Sequence, residues 1–157
     1  METLPGGPPG NAVTLLLRRF NHRVPLTPEE LPVVASIGWD LRTIRRRHAI
    51  VTEGTKNQSV IFVVDGFLIR YRILRDGQRQ IVDLAIPGDF TGVPSCFYND
   101  ALYTIKALTD ATVAVVPLER LVGLFKTQPR LAAKIFWAFS CESAVLAEHL
   151  VAVGRRS

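Results

Sequence analysis

Hydrophobic positions along the chain change their spacing twice. A short segment at 13–20 carries apolar residues at helical intervals. Between 42 and 117 the apolar residues form short, β-branched runs that glycines separate, which is typical of strands joined by tight turns. Helical spacing returns after Pro117. The pattern therefore predicts a small helix, a region of many strands and then two further helices.

The middle region is predicted to contain a series of short strands. They cover residues 44–46, 49–51, 59–64, 67–74, 79–86, 103–108 and 111–116. Asp76 and Gly77 stand between two of these runs, and an Asp-Gly pair in that position predicts a tight hairpin. Short strands with regular turns favour an all-β sandwich or roll over a parallel sheet.

Helix signals flank the strand region on both sides. Thr27, Pro28 and Glu30 match a capping box, in which a hydroxyl and a carboxylate bond free amides of the first turn. We therefore expect a short helical turn from Pro28. After the strands, an apolar stripe over 118–126 predicts a further short helix.

The last predicted helix spans 129–153, with Pro129 at its start and Gly154 placed to end it. A heptad series runs along it, with alternating spacings of four and three residues, and this predicts a coiled-coil seam. The seam residues are Ala132, Phe136, Phe139, Ser143, Leu146, Leu150 and Val153. The neighbouring apolar residues, which we expect to cover the strands, are Ile135, Ala138 and Val145.

Composition indicates one folded domain. Hydrophobic residues make up 48% of the 157 residues, which is enough for a core. The apolar runs are strand-sized and too short for a membrane span. The Pro- and Gly-rich segment 1–12 predicts a flexible tail. A net charge of +5 favours an anionic partner, although a solubilising basic surface is the more common explanation.

Candidate chemistry is sparse. Cys96 and Cys141 form no C-x-x-C pattern, so we expect no disulfide framework, no metal site and a reducing cytoplasm. Cys96 is expected to be a buried structural thiol. The sequence contains no phosphate-binding glycine motif and no nucleophile–base pattern. We therefore predict that the chain is not an enzyme and has no catalytic residues and no cofactor.

Three glycine-containing segments occur in order: VTEG at 51–54, FVVDGFL at 62–68 and PGDFTG at 87–92. Together they resemble the cyclic-nucleotide-binding domain of Crp/Fnr-family transcription regulators, over roughly residues 28–153. The resemblance implies an α+β, mainly β fold. That fold is a cyclic-nucleotide-binding-type double-stranded β-helix, a jelly-roll-like β-roll, with short flanking helices and a long C-terminal dimerisation helix.

The same resemblance implies an organisation into segments. Residues 13–128 would form the β-roll sensor domain with its flanking helices, and 129–153 the dimerisation helix. Residues 154–157 would begin a hinge, and the helix-turn-helix domain that contacts DNA in the family is absent from this chain. The expected dimer interface consists of Phe136, Phe139, Ser143, Leu146, Leu150 and Val153.

The expected pocket departs from that of nucleotide-binding members of the family. In those members a glutamate after the glycine accepts a bond from the ribose, and a downstream arginine binds the cyclic phosphate. Here Val93 takes the glutamate position, and the residues at 101–103 take the place of the arginine segment. Each lost charge-assisted bond costs roughly 1.5–3 kcal/mol. We therefore predict that cyclic AMP and cyclic GMP do not bind tightly.

The candidate ligand-binding residues lie in the loop after Gly88, in the strand that follows it or in the long helix. They are Phe90, Gly92, Val93, Pro94, Ser95, Leu102, Tyr103, Lys106 and Leu146. Lys106 is the cation nearest to the loop in sequence. Two alternatives remain open: a filled pocket without a ligand, and an effector that is apolar or is an anion held by Lys106.

The leading functional prediction is the effector-sensing and dimerisation domain of a Crp/Fnr-like transcription regulator. Its partners would be a second copy of the chain and an unidentified small-molecule effector, with DNA contacted only through the helix-turn-helix domain and no membrane partner. The alternative is a stand-alone cyclic-nucleotide-binding-like domain that regulates a partner protein without DNA binding.

Overall fold

The computed structural model describes residues 9–96, 98 and 100–140. Its strands are β1 Asp40–Ile44, β2 Ala49–Val51, β3 Ser59–Asp65, β4 Leu68–Ile73, β5 Arg79–Ala85, β6 Phe90–Thr91, β7 Thr104–Ala107 and β8 Ala111–Pro117. Its helices are α1 Pro9–Arg23, α2 Glu30–Ala35, α3 Leu118–Thr127 and α4, which occupies 129–140 of the described residues. A 3₁₀ turn covers Pro94–Cys96.

The described strands form two antiparallel sheets. The first sheet has the order β1-β8-β3-β6, and the second has the order β2-β7-β4-β5. Apolar residues of both sheets meet in one cluster, so the sheets face each other and close a roll. The mainly β roll with flanking helices that the sequence predicts is confirmed.

The inner face of each sheet contributes to the roll interior. The buried residues of this interior cluster are Val51, Ile61, Val63, Leu68, Ala85, Ala101, Ile105, Ala107, Ala111, Val113 and Val115. Most are β-branched or small, which suits the narrow space between two facing sheets.

The outer face of the first sheet is covered by the helices. In β3 and β8 alternate residues point the other way, so Phe62 and Ala114 join a second, helix-side cluster with Phe20 of α1. The rings of Phe20, Phe62 and Phe90 pack in tilted and edge-to-face arrangements at centroid distances of 4.9–5.7 Å. Strand β3 is therefore buried on both faces, which explains its continuous apolar sequence.

Of the predicted capping box, the bond between the Glu30 carboxylate and the Thr27 amide is present, whereas α2 begins at Glu30 and its N-cap makes no side-chain hydrogen bond. The amide of Thr27 donates to Oε2 of Glu30 over 2.8 Å, and the amides of Glu30 and Leu31 donate back to the carbonyl of Thr27. Lys134 of α4 donates to the same Glu30 carboxylate over 2.6 Å and to the carbonyl of Pro25 over 2.8 Å. One cap thus also fixes the start of the last helix against α2.

The hairpin predicted at Asp76-Gly77 joins β4 to β5. Gly77 has φ of 81°, and the Asp76 carboxylate accepts from the amide of Gln78 over 3.0 Å. Gly66, in the turn between β3 and β4, also has a positive φ, of 78°. A Cβ there would lie 2.4 Å from the carbonyl oxygen of Asp110, so only glycine fits this turn.

Several boundaries differ from the prediction. Helix α1 begins at Pro9, inside the segment 1–12 that the sequence predicts as a tail, because proline is tolerated in the first helical turn. Strand β1 covers Asp40–Ile44 rather than 44–46, because its ladder with β8 starts at Asp40 and Arg47 adopts φ of 69° in the following turn. For the long helix, residues 141–153 lie outside the described residues.

Candidate functional site

The candidate site is built around the loop that leaves β6. Gly92 has φ of 83°, and a Cβ on it would lie 3.1 Å from the carbonyl oxygen of Ser59 and 3.3 Å from Nδ2 of Asn57. The side chain of Asn57 donates to the Ser59 carbonyl over 3.0 Å. Glycine therefore lets the loop pass against β3 before the Pro94–Cys96 turn.

Two predicted pocket residues face the helices instead of the roll interior. Phe90 pairs with Phe62 across β6 and β3, and both belong to the helix-side cluster. Val93 packs against that same cluster. Because directly opposed residues of an antiparallel pair share a face, Phe90 must follow Phe62. Phe90 and Val93 therefore face the helix-side cluster, not the roll interior.

Lys106 is also placed away from the roll interior. Its neighbours in β7, Ile105 and Ala107, belong to the interior cluster, so the alternation of the strand turns Lys106 outward. It lies opposite Ile69 of β4 and Ala49 of β2 on the outer face of the second sheet. Lys106 therefore does not face the roll interior, where the alternative of an anion held by Lys106 would place it.

The remaining predicted residues are spread along the loop. Gly92 and Ser95 are buried, Pro94 is exposed, and Leu102 and Tyr103 are half-buried. Leu146 lies outside the described residues. Ala101, which the sequence places in the segment that lacks the family's arginine, is buried in the interior cluster and bonds through its backbone to Gly54 and Thr55.

A charged pair that the sequence patterns do not predict lies inside the roll. Arg70 of β4 is opposite Asp83 of β5 and Ile105 of β7. Ile105 belongs to the interior cluster, as does Leu68 two residues before Arg70, so Arg70 and Asp83 point inward. Nη2 of Arg70 donates to Oδ2 of Asp83 over 2.5 Å.

Two buried polar atoms of this region have no hydrogen-bond partner among the described residues. One is Nε of Arg70, and the other is Oγ1 of Thr91. Thr91 of β6 is opposite Ile61, an interior residue, so its hydroxyl points into the roll. Buried polar groups are nearly always bonded, so these two atoms are candidates for contact with a bound molecule.

A second ion pair involves Arg72, two residues after Arg70 in β4. Nε of Arg72 donates to Oε1 of Glu53 over 3.0 Å, and the amide of Glu53 donates to Oγ1 of Thr104 over 3.0 Å. Arg72 is more than half exposed. Each of these two arginines is therefore matched by one carboxylate.

Cys96 is half-buried and has little redox character. Its thiol donates to the carbonyl of Gly92 over 3.4 Å, and burial raises its pKa to about 11. The thiolate is therefore scarce at neutral pH, and the thiolate is the reactive form of cysteine.

The first turns of α4 expose a large apolar surface. Phe136 and Trp137 are 70% and 60% exposed, whereas Ile135 and Ala138 are buried against the roll, as predicted. The ring of Phe139 packs edge-to-face against that of Phe90 in the same domain, at a centroid distance of 4.9 Å. The groove beside these rings has a volume of about 300 Å³, and its lining consists of Val60, Val93, Leu118, Leu121, Phe125, Phe136, Phe139 and Ser140. Ser143, Leu146, Leu150 and Val153 lie outside the described residues.

Within residues 9–96, 98 and 100–140, no three His, Cys, Asp or Glu side chains come together as they would around a metal ion. In the same part of the chain, no helix combines the length and apolar character that crossing a membrane requires.

Residues 41–128 match the family model described as a cyclic nucleotide-binding domain. The nitrogen fixation regulation protein FixK of Bradyrhizobium diazoefficiens is 35% identical over 96 residues, which cover 60% of this chain and 39% of that protein. The transcriptional activator protein FnrL of Cereibacter sphaeroides is 24% identical over 129 residues, which cover 82% of this chain and 51% of that protein. The chain thus spans about half, or less, of the length of these relatives.

A solved structure shares the fold. FixK2 from Bradyrhizobium japonicum superposes with a TM-score of 0.67 at 25% identity, over 75% of this chain and 59% of that one. The same fold therefore extends to a relative that is similar in sequence.

Proposed function

Because the chain belongs to the family of cyclic nucleotide-binding domains, we propose that it is the effector-sensing and dimerisation domain of a Crp/Fnr-like transcription regulator. The relatives with matching sequence carry the names of regulators and activators, not of enzymes. The matched regions are 39% and 51% of those proteins, and the proposal assigns DNA binding to a helix-turn-helix domain of the whole protein.

The observation that carries the proposal is the exposed apolar surface of α4 beside a β-roll of this family. Phe136 and Trp137 project from a helix whose other side is buried in the domain. Large exposed aromatic patches on a protein are typical of interaction surfaces. In this proposal the patch pairs with its own copy around a two-fold axis, as isologous interfaces require.

The seam of that dimer would continue along the heptad positions Ser143, Leu146, Leu150 and Val153, with Leu146 also bordering the ligand pocket. A change in the pocket would then shift the two helices and re-aim the DNA-contacting domains. The domain would work in the cytoplasm, where its DNA is.

The proposed effector is not cyclic AMP. Val93 offers no hydrogen-bond acceptor and faces the helix-side cluster, and a buried Ala101 lies in the segment that lacks an arginine.

A gel-shift assay that compares residues 1–157 with the protein encoded by the whole gene tests the regulator proposal. We expect the whole protein to bind specific operator DNA at physiological salt, and residues 1–157 to bind any duplex weakly and only at low salt. A whole protein without sequence-specific DNA affinity would favour the stand-alone domain that regulates a protein partner.

A further inference from the structure

We propose that Arg70 is the anion-binding residue of the roll interior, that Asp83 is its built-in competitor, and that the effector is a small oxyanion-bearing molecule which replaces the Asp83 carboxylate. The inference rests on the proposed function only in assuming that the roll takes an effector. It assigns the binding residues and the chemical class of that effector.

Only one of the two nitrogens on the Nε–Nη2 edge of the Arg70 guanidinium has a hydrogen-bond partner among the described residues. Its Nη2 bonds to Asp83, while its Nε is buried and has no partner among the described residues. Arginine most often binds an oxyanion through two parallel N–H bonds, and Nε with Nη2 is one such edge. A bidentate oxyanion would fill this edge, which Asp83 does not.

Thr91 supplies a further buried donor in the roll interior. Strand β6 is the last strand of the first sheet, β5 is the last strand of the second, and residues 86–89 connect them directly. The Thr91 side chain points into the roll from β6, as Asp83 does from β5. The Thr91 hydroxyl is buried and unbonded among the described residues.

The two unbonded atoms specify the chemistry of the ligand. Nε of Arg70 is only a donor, and a hydroxyl donates readily to an anion. A ligand that satisfies both must therefore present acceptor oxygens. A carboxylate or a phosphate does so, and either one balances the charge of Arg70 when Asp83 leaves.

Asp83 is the partner that is free to leave. Its side chain is 30% exposed, whereas that of Arg70 is 14% exposed. The carboxylate can therefore turn toward water while the guanidinium stays inside the roll. In the absence of effector, Asp83 prevents the burial of an unpaired charge, which would be strongly destabilising.

The test uses residues 1–157 with three variants: Asp83→Asn, Arg70→Gln with Asp83→Asn, and Thr91→Val with Asp83→Asn. Each is titrated with sodium phosphate and with sodium acetate at constant ionic strength, and the nitrogen-bound protons of the arginine side chains are followed by NMR. The two salts distinguish a phosphate ligand from a carboxylate ligand.

We expect the Asp83→Asn variant to bind one of the two anions about tenfold or more tightly than the unmodified chain, with a shift of the Arg70 Nε–H signal. Removing Arg70 in the same background should abolish the gain, and Thr91→Val should reduce it. Asp40→Asn, which breaks the exposed Arg42–Asp40 pair, is the matched control and should not raise anion affinity.

An Asp83→Asn variant that binds neither anion more tightly than the unmodified chain would overturn the proposal, as would an undiminished gain without Arg70. If Asp83→Asn does not fold, the unmodified chain is compared with Arg70→Gln in the same titrations. The proposal is then overturned if the Arg70 Nε–H signal shifts no more with added anion than the signals of exposed arginines. If the chain is monomeric but Asp83→Asn still raises its anion affinity, the result contradicts the proposed dimer and leaves the anion-binding proposal intact.

Discussion

Lys134 and Glu30 join two helices that are far apart in the sequence. The ammonium group lies 2.6 Å from the carboxylate, which also accepts from the amide of Thr27 over 2.8 Å. The bond from Lys134 is the main cause of the lowered pKa of Glu30, and the bond from Thr27 adds to it. The cap of α2 and the anchorage of α4 therefore depend on one carboxylate.

Lys134→Ala is expected to destabilise the fold by about 1 kcal/mol at pH 7, since it removes a partly exposed ion pair with additional hydrogen bonds. The folded-state pKa of Glu30 is depressed below 4.5, so its contribution is complete above that pH and is lost as the pH falls through the lowered value. Urea unfolding at pH 7 and at pH 3 measures this difference. Lys56→Ala, at an exposed position, is the control, and an equal loss at both pH values would contradict the assignment.

Gly66→Ala is expected to be among the most damaging single changes in the roll, with a loss of more than about 2 kcal/mol. The new Cβ would lie 2.4 Å from the Asp110 carbonyl oxygen and 2.7 Å from Cα of Ala111, both of them backbone atoms. Gly77→Ala is a matched control with a similar φ, of 81°, and no atom within 4 Å of its Cβ. Thermal unfolding of the two variants separates the steric clash from the backbone strain, and equal losses would show that the clash contributes nothing.

Phe136→Glu combined with Trp137→Glu is expected to give a folded monomer, because it places charges in the apolar surface proposed for the dimer. Both side chains are more than half exposed within one chain, so the substitution leaves the core intact. Light scattering after size-exclusion chromatography measures the mass. Ile81→Glu, at another exposed apolar position on β5, should remain dimeric. An unmodified chain that is monomeric would refute the model, and Leu146→Glu with Leu150→Glu tests the rest of the seam.

Cys96 is expected to react slowly with a thiol reagent such as iodoacetamide at neutral pH. Burial raises its pKa to about 11, so the thiolate fraction grows as the pH rises toward that value. The measurement uses a Cys141→Ser background, so that a single thiol is counted. Rapid modification at pH 7 in the folded chain, at the rate found after unfolding in urea, would contradict this expectation.

Cyclic AMP is expected to bind the chain weakly or not at all. The helix-facing side chain of Val93 offers no acceptor for the ribose, and Ala101 is buried in the segment that lacks the family's phosphate-binding arginine. Isothermal titration calorimetry checks this directly. A dissociation constant in the low micromolar range or below would show that the pocket is aligned differently.

Local sequence patterns predicted the long and regular parts of the fold. Strands β3 and β8 are recognisable because their apolar residues are nearly continuous. The hairpin between β4 and β5 is recognisable because the Asp76-Gly77 pair specifies a tight turn by local conformation alone. Strand β6 was missed because it has only two residues, and it is defined by pairing with a strand nearly thirty positions earlier. Its identity therefore depends on tertiary contacts.

The candidate site was harder to predict, because side-chain direction depends on the exact start and register of each strand. Lys106 and Arg70 are both cations in strands, and only pairing shows that the first faces outward and the second inward. Proximity to the loop in sequence favoured Lys106. Arg70 could have been suspected from its position two residues after the apolar Leu68, with an acidic residue at a matching place in the next strand.

The burial of β3 on both faces has a consequence for synthesis on the ribosome. Its sequence from Ser59 to Val64 carries no charge, and such a segment is prone to intermolecular β-aggregation while it is unpaired. Its partner β8 lies at Ala111–Pro117, so about fifty further residues must be translated before the two strands can pair. A nascent chain arrested before Ala111 should therefore aggregate or recruit a chaperone, whereas one that extends past α3 should not.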